Sequence, residues 1–93
     1  MNRIHVDGRE VIPILLYALS TCAWCKRTKM LLNELGVAYD YIDLNELEAE
    51  QVSAARAEVL KWNPKCSMPT IVIDDKECIV GYQEARIREL VEA

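Results

Sequence analysis

The chain is poor in the features that mark disorder, export or charge-driven binding. It has three glycines and three prolines in 93 residues, so no stretch reads as a linker or low-complexity segment, and no internal repeat appears. Its longest apolar run, Val11–Leu19, is broken by Pro13 and is too short to span a bilayer. The N-terminal stretch Met1–His5 lacks the apolar core of a signal peptide. A cytoplasmic location without membrane contact is therefore expected. Basic residues are not in excess: 11 Lys and Arg against 15 Asp and Glu give a net charge of −4, which argues against a nucleic-acid partner. The one histidine, His5, lies in a short N-terminal strand pattern and is expected to be solvated rather than catalytic.

What the chain does have is apolar residues, at 52% of its length, enough for one small core. A single domain over residues 1–93 follows. Ile4-His5-Val6 alternates, Asp7-Gly8 reads as a hairpin turn, and Val11-Ile12 reads as its return strand. Ile14–Ala18 is a buried strand that Pro13 should begin, because proline cannot donate to a ladder. Ser20-Thr21 offers an N-cap to a helix with Met30, Leu31, Leu32 and Leu35 on its apolar stripe and Gly36 past its end. Val37–Asp43 is a second strand. Asn45 and Glu48 have the spacing of a capping box, opening a helix with Val52, Ala55 and Val59 on one face, and Asn63-Pro64 closes it. Thr70–Ile73 is a β-branched strand, a turn at Asp74–Glu77 returns it as Cys78–Val80, and Ile87, Leu90 and Val91 mark a last helix. The order is a hairpin followed by β-α-β-α-β-β-α. It predicts an α/β fold: a mixed four-stranded sheet, helices on both faces, and an N-terminal β-hairpin extension.

Four cysteines admit a disulfide scaffold or a Cys₄ zinc site. The absent secretion signal and the sufficient core oppose the scaffold. Eleven residues lie between Cys66 and Cys78, so they do not form the second close pair that zinc fingers use, and no metal is expected. Cys22-Ala23-Trp24-Cys25 stands apart. A strand delivers the first thiol to a helix N-terminus, where unpaired N–H groups and the helix dipole favour thiolate over thiol. The second thiol lies one turn along the same face. Cys22 is the expected nucleophile, partly exposed, and Cys25 the more buried thiol that resolves a mixed disulfide. Two ordinary core cysteines are the plain alternative. Trp24 projects at the helix start, either toward partner proteins or flat on the surface. Lys26, Arg27 and Lys29 can orient an acidic partner, although at least one of them is expected only to solvate the helix.

The run Leu16–Lys26, the Ser67-Met68-Pro69-Thr70 segment opening a strand, and Val80-Gly81-Tyr82 before the last helix together resemble the glutaredoxins of the thioredoxin superfamily. The resemblance covers about residues 12–91. It implies a thiol–disulfide oxidoreductase, an electron-carrying redoxin that needs no cofactor beyond a Cys22–Cys25 disulfide and acts as a monomer. It implies a cis bond before Pro69, where an unrelated chain could equally start a strand with a trans proline, and a Met68 backbone that pairs with substrate. It places Trp24, Lys26, Met68, Pro69, Gly81 and Tyr82 at the substrate site.

The chain also departs from the family. Glutathione users usually carry a lysine three residues before the first cysteine, where this chain has Leu19, and paired glycines with an acidic or polar residue where it has Gly81-Tyr82-Gln83. The single glycine before an aromatic ring is more similar to the glutaredoxin-shaped donors of ribonucleotide reductase. Expected partners are a flavin or ferredoxin-dependent reductase and disulfide-bearing proteins, with weak use of glutathione. The alternatives are a glutathione-dependent glutaredoxin and a [2Fe–2S] carrier sharing a cluster between Cys22 and glutathione across a dimer. Intact Cys25 and the weakened glutathione groove oppose the cluster. Cys78, set opposite Ile73 by a two-residue turn, is expected to be a small buried hydrophobe too far from Cys66 to bond. Cys66 is either a plain loop cysteine or a third thiol near Cys22.

Overall fold

A computed structural model describes residues 3–92. The elements run β1 (Ile4–Val6), β2 (Ile14–Ala18), α1 (Ala23–Leu35), β3 (Tyr39–Asp43), a 3-10 turn (Leu44–Glu46), α2 (Ala49–Trp62), β4 (Thr70–Ile73), β5 (Glu77–Val80) and α3 (Glu84–Glu92). One mixed sheet holds all five strands in the order β1-β3-β2-β4-β5. The β2–β3 pair is parallel and the others are antiparallel.

Alternation along β2 splits the core into two layers. Ile14, Leu16 and Ala18 face Leu31 and Leu32 of α1 and Ile87 and Val91 of α3. Tyr17 turns the other way, to Ala55 and Val59 of α2 with Ile42 and Val72. Both faces of the sheet are thus covered, as the sequence predicts. Gly36 ends α1 with φ 68°, donating to Asn33 O at 3.1 Å while Val37 donates to Leu32 O at 3.4 Å. That paired closure needs a left-handed residue, which glycine supplies without strain.

Four expectations are corrected. There is no N-terminal hairpin: β1 pairs with β3 at the sheet edge, Ile4 opposite Tyr41 and Val6 opposite Tyr39. Gly8 serves close approach instead of a turn, since a Cβ there would lie 2.6 Å from Val37 C and 2.7 Å from Ala38 N. The chain passes under Gly36–Ala38, with Arg9 N donating to Gly36 O and Ala38 N to Arg9 O, both at 2.8 Å. The sheet therefore has five strands. The capping pair of α2 falls three residues later than Asn45 and Glu48: Glu48 is the cap, and its N–H donates to the Gln51 side chain at 3.3 Å. The β4–β5 turn takes three residues, because Asp74 and Asp75 both adopt φ 53°, a region Asp tolerates. Cys78 then lies opposite Val72, not Ile73. Met30 is not on the apolar stripe of α1 but 61% exposed.

Candidate functional site

The sheet register gathers three segments at one end. Ala18, the last residue of β2, leads through a turn closed by Cys22 N to Leu19 O at 3.1 Å into α1. Thr70, the first residue of β4, lies opposite Tyr17 near that same end, and Val80, the last of β5, lies opposite Thr70. Cys22, Pro69 and Gly81 flank these strand ends and so share an edge.

Cys22 itself is the N-cap of α1, not Ser20 or Thr21. Its sulfur accepts the Cys25 N–H at 3.2 Å. Sulfur thus takes the place of the usual capping oxygen, with the N–H end of the helix aimed at it. Cys22 is half-buried and Cys25 is fully buried. Burial, followed by a hydrogen bond to the Cys22 sulfur, pushes the Cys25 thiol up to about 12. A hydrogen bond from the Leu19 backbone and the charge of Lys29 act in the opposite direction. All four cysteines are free thiols.

Beside the thiols lies an open cleft of about 170 Å³, lined by Trp24, Met68, Pro69, Gly81 and Tyr82, none of them charged. The Met68–Pro69 bond is cis, and Gly81 N donates to Pro69 O at 2.9 Å. Trp24 is 58% exposed at the start of α1 and lies against neighbouring side chains on the surface. Its ring stacks on Tyr82, centroids 5.5 Å apart at 28°, and the Arg27 guanidinium sits 5.7 Å over it. Of the substrate-site residues named from the sequence, only Lys26 is absent from the lining; it is exposed on α1. Lys29 turns inward, bonded to Asp43 at 3.0 and 3.2 Å with its ammonium 4.0 Å over the Tyr41 ring.

Leu19 packs with the α2-side core, and Gln83 folds back to donate to Val80 O at 2.8 Å. Cys66 packs on the α2 side, whereas Cys22 packs against the α1–α3 layer. Cys78, on the edge strand β5, is only half-buried, and its thiol donates to Trp62 O at 3.3 Å.

Sequence reasoning missed the groups that brace this end. Asn45 accepts from Ser20 N at 2.9 Å and donates to Ser20 Oγ at 2.6 Å, and Ser20 Oγ donates to Glu46 at 3.1 Å. The turn before Cys22 is thereby pinned to the segment after β3. Asn63, read as a helix stop, is a buried hub under the Met68–Pro69 loop. Neither role has a local signature, since each depends on partners the fold brings in.

A family model described as Glutaredoxin matches residues 14–79. Gene 56 protein of Mycobacterium phage D29 is 38% identical over 80 residues, spanning 86% of this chain and 83% of its own length. The crystal structure of Methanosarcina acetivorans methanoredoxin superposes with a TM-score of 0.92 at 42% identity, over 100% of this chain and 97% of the other. A buckwheat glutaredoxin in complex with glutathione gives 0.66 at 26% identity, over 84% and 68%. A match running through more than half of the chain, from β2 into β5, makes it a member of the glutaredoxin family and a thiol–disulfide oxidoreductase.

Proposed function

We propose that this chain reduces protein disulfides through Cys22 and Cys25, drawing electrons from a flavin or ferredoxin-dependent reductase and only weakly from glutathione. The observation that carries the reading is the pairing of a half-buried N-cap thiol with an uncharged cleft beside it. The Cys22 thiolate attacks a substrate disulfide. One sulfur leaves as a thiolate and the other stays bonded to Cys22. Cys25 gives up its proton and its thiolate attacks the Cys22 sulfur, releasing the second substrate thiolate and leaving a Cys22–Cys25 disulfide. The reductase then returns two electrons. Two of the causes that hold the Cys25 proton are its hydrogen bond to Cys22 and the Cys22 charge. Both weaken once Cys22 is bonded to substrate, so the resolving thiol ionises more readily when it is needed. Met68 and Pro69 support an extended substrate chain, and Trp24, Gly81 and Tyr82 bound its path.

Weak use of glutathione follows from Leu19 and Gln83. Neither presents a charge to a glutathione carboxylate, and each lost charge-assisted contact is worth about 1.5–3 kcal/mol, or tenfold and more in affinity. The second reading, a glutathione-dependent glutaredoxin, is favoured by the similarity to the buckwheat protein in its glutathione complex. The test supplies the oxidised protein with glutathione and its reductase, a flavin thioredoxin reductase, or a ferredoxin-dependent reductase. Trp24 fluorescence reports the reduction. One of the two protein reductases is expected to outpace glutathione, and Leu19→Lys to raise the glutathione rate. Efficient reduction of the unmodified protein by millimolar glutathione selects the second reading.

A further inference from the structure

Asn63 is 2% exposed and lies at the C-terminal end of α2. Its amide nitrogen donates to Ser67 O at 3.1 Å, Ser67 Oγ at 3.0 Å and Thr70 Oγ1 at 3.0 Å. Its side-chain oxygen accepts Lys65 N at 3.1 Å. Its own carbonyl accepts Cys66 N at 2.9 Å, holding Cys66 at φ 51°. Thr70 Oγ1 in turn donates to Ser67 O at 2.8 Å. Residues 65, 67 and 70 are thus tied to the Asn63 side chain or to each other, and residue 66 to the Asn63 main chain. Met68 and Pro69 are the two residues suspended between the ties at Ser67 and Thr70, and both line the cleft beside Cys22.

This position needs two N–H donors and one acceptor in a small buried group. Aspartate would face the Ser67 carbonyl with a second acceptor, and an apolar residue would leave Lys65 N and the Ser67 carbonyl short of partners. The loop makes no other claim on Asn63, which neither lines the cleft nor touches the thiols.

We propose that Asn63 is a positioning residue for disulfide exchange, holding the Met68–Pro69 wall at the height that lets a substrate chain lie against Cys22. It acts on docking and not on thiol chemistry. The proposal rests on the reading that substrates dock along this wall. The substrate class is not part of it.

The test compares wild type with Asn63→Ala and with Thr70→Val, a near-isosteric change that cuts the same network. Three oxidants are used: a protein disulfide (insulin), oxidised glutathione, and 2,2′-dithiodipyridine, which needs no docked chain. The wild-type preference between the first two tests the proposed function. Asn63 is tested with whichever of them the wild type prefers. Breaking the network is expected to raise that KM about tenfold, the scale of a lost buried hydrogen bond. The kcat and the dithiodipyridine rate should stay within about twofold by the same reasoning, because the thiols are untouched. Thr70→Val carries the comparison where Asn63→Ala does not fold, as judged by its unfolding transition. An unchanged KM in a folded variant overturns the proposal. So does an equal loss in the dithiodipyridine rate, which would place the effect at Cys22.

Discussion

Cys25 and Cys22 stand three positions apart in environments that give them opposite properties. One is a helix cap near the surface, and the other is sealed under it. If Cys22 forms the mixed disulfide and Cys25 breaks it, Cys25→Ser should accumulate covalent adducts with disulfide substrates, visible by mass on non-reducing gels, while Cys22→Ser forms none. Full turnover of a protein disulfide by Cys25→Ser would remove the dithiol mechanism. Burial also makes Cys25 a sensor of alkaline pH. Its thiol is raised from 9.0 to about 12, so the native state holds that proton more tightly than the unfolded chain. Its contribution to stability is complete below pH 9 and is lost as pH rises through 12. Denaturant unfolding of the reduced protein should show this fall, and the slope should be shallower in Cys25→Ala. Taking the difference between the two proteins is needed because Tyr17 and Tyr39, also raised by burial, lose stability in the same direction at high pH. The placement of the two cysteines at the head of α1, one half-buried and one buried, was legible in the sequence because spacing and helix start are local signals. Asn63 was not: an Asn before Pro reads as a helix stop, and its partners at Ser67 and Thr70 become neighbours only when the loop closes.

At the scale of elements, β1 separates what letters say from what the fold does with them. Asp7-Gly8 between two apolar stretches is a sound hairpin signal. It is overridden because β3 would otherwise present an open edge, which Ile4–Val6 covers. Glycine fits both outcomes, for different reasons. In an Asp-Gly hairpin turn glycine would be needed for a positive φ, which Gly8 does not adopt. Here an added methyl would meet three backbone atoms at 2.6–2.8 Å, and backbone cannot swing aside. Gly8→Ala should therefore destabilise the protein by about 1–3 kcal/mol, the range for overpacking, read as a lower denaturant midpoint with an unchanged slope. A loss below about 0.5 kcal/mol, typical of a free surface position, would mean that the close approach to Gly36–Ala38 does not constrain Gly8. The β4–β5 register slipped for a related reason. Two consecutive Asp residues in the left-handed region absorb one more residue than the sequence pattern announces. Strands and helices of the central unit were readable because periodicity is local. Edge pairing and turn length were not, since both depend on which neighbour is available.

For the whole molecule, net charge and local charge disagree. The protein carries −4, yet the first turns of α1 beside the thiols hold Lys26, Arg27 and Lys29. The structure divides these three. Lys29 is committed to Asp43 and Tyr41, Arg27 lies over the Trp24 ring, and Lys26 is exposed. We expect the exposed Lys26 to guide an acidic partner toward Cys22 and the acidic remainder of the surface to repel such a partner from wrong approaches. Lys26→Glu should lower kcat/KM for an acidic disulfide peptide severalfold at low ionic strength and leave a neutral peptide nearly unaffected. The same charge change at Lys76, in the turn between β4 and β5 at the opposite end of the sheet, should do far less, because a change in net charge alone is not directed at the site. Salt separates steering from contact. At 1 M salt, where the screening length falls to about 3 Å, the Lys26→Glu and wild-type rates should converge. A deficit that persists there would mean that Lys26 touches the bound substrate, and equal deficits for Lys26→Glu and Lys76→Glu at low salt would mean that net charge, not the cation beside the thiols, governs the encounter.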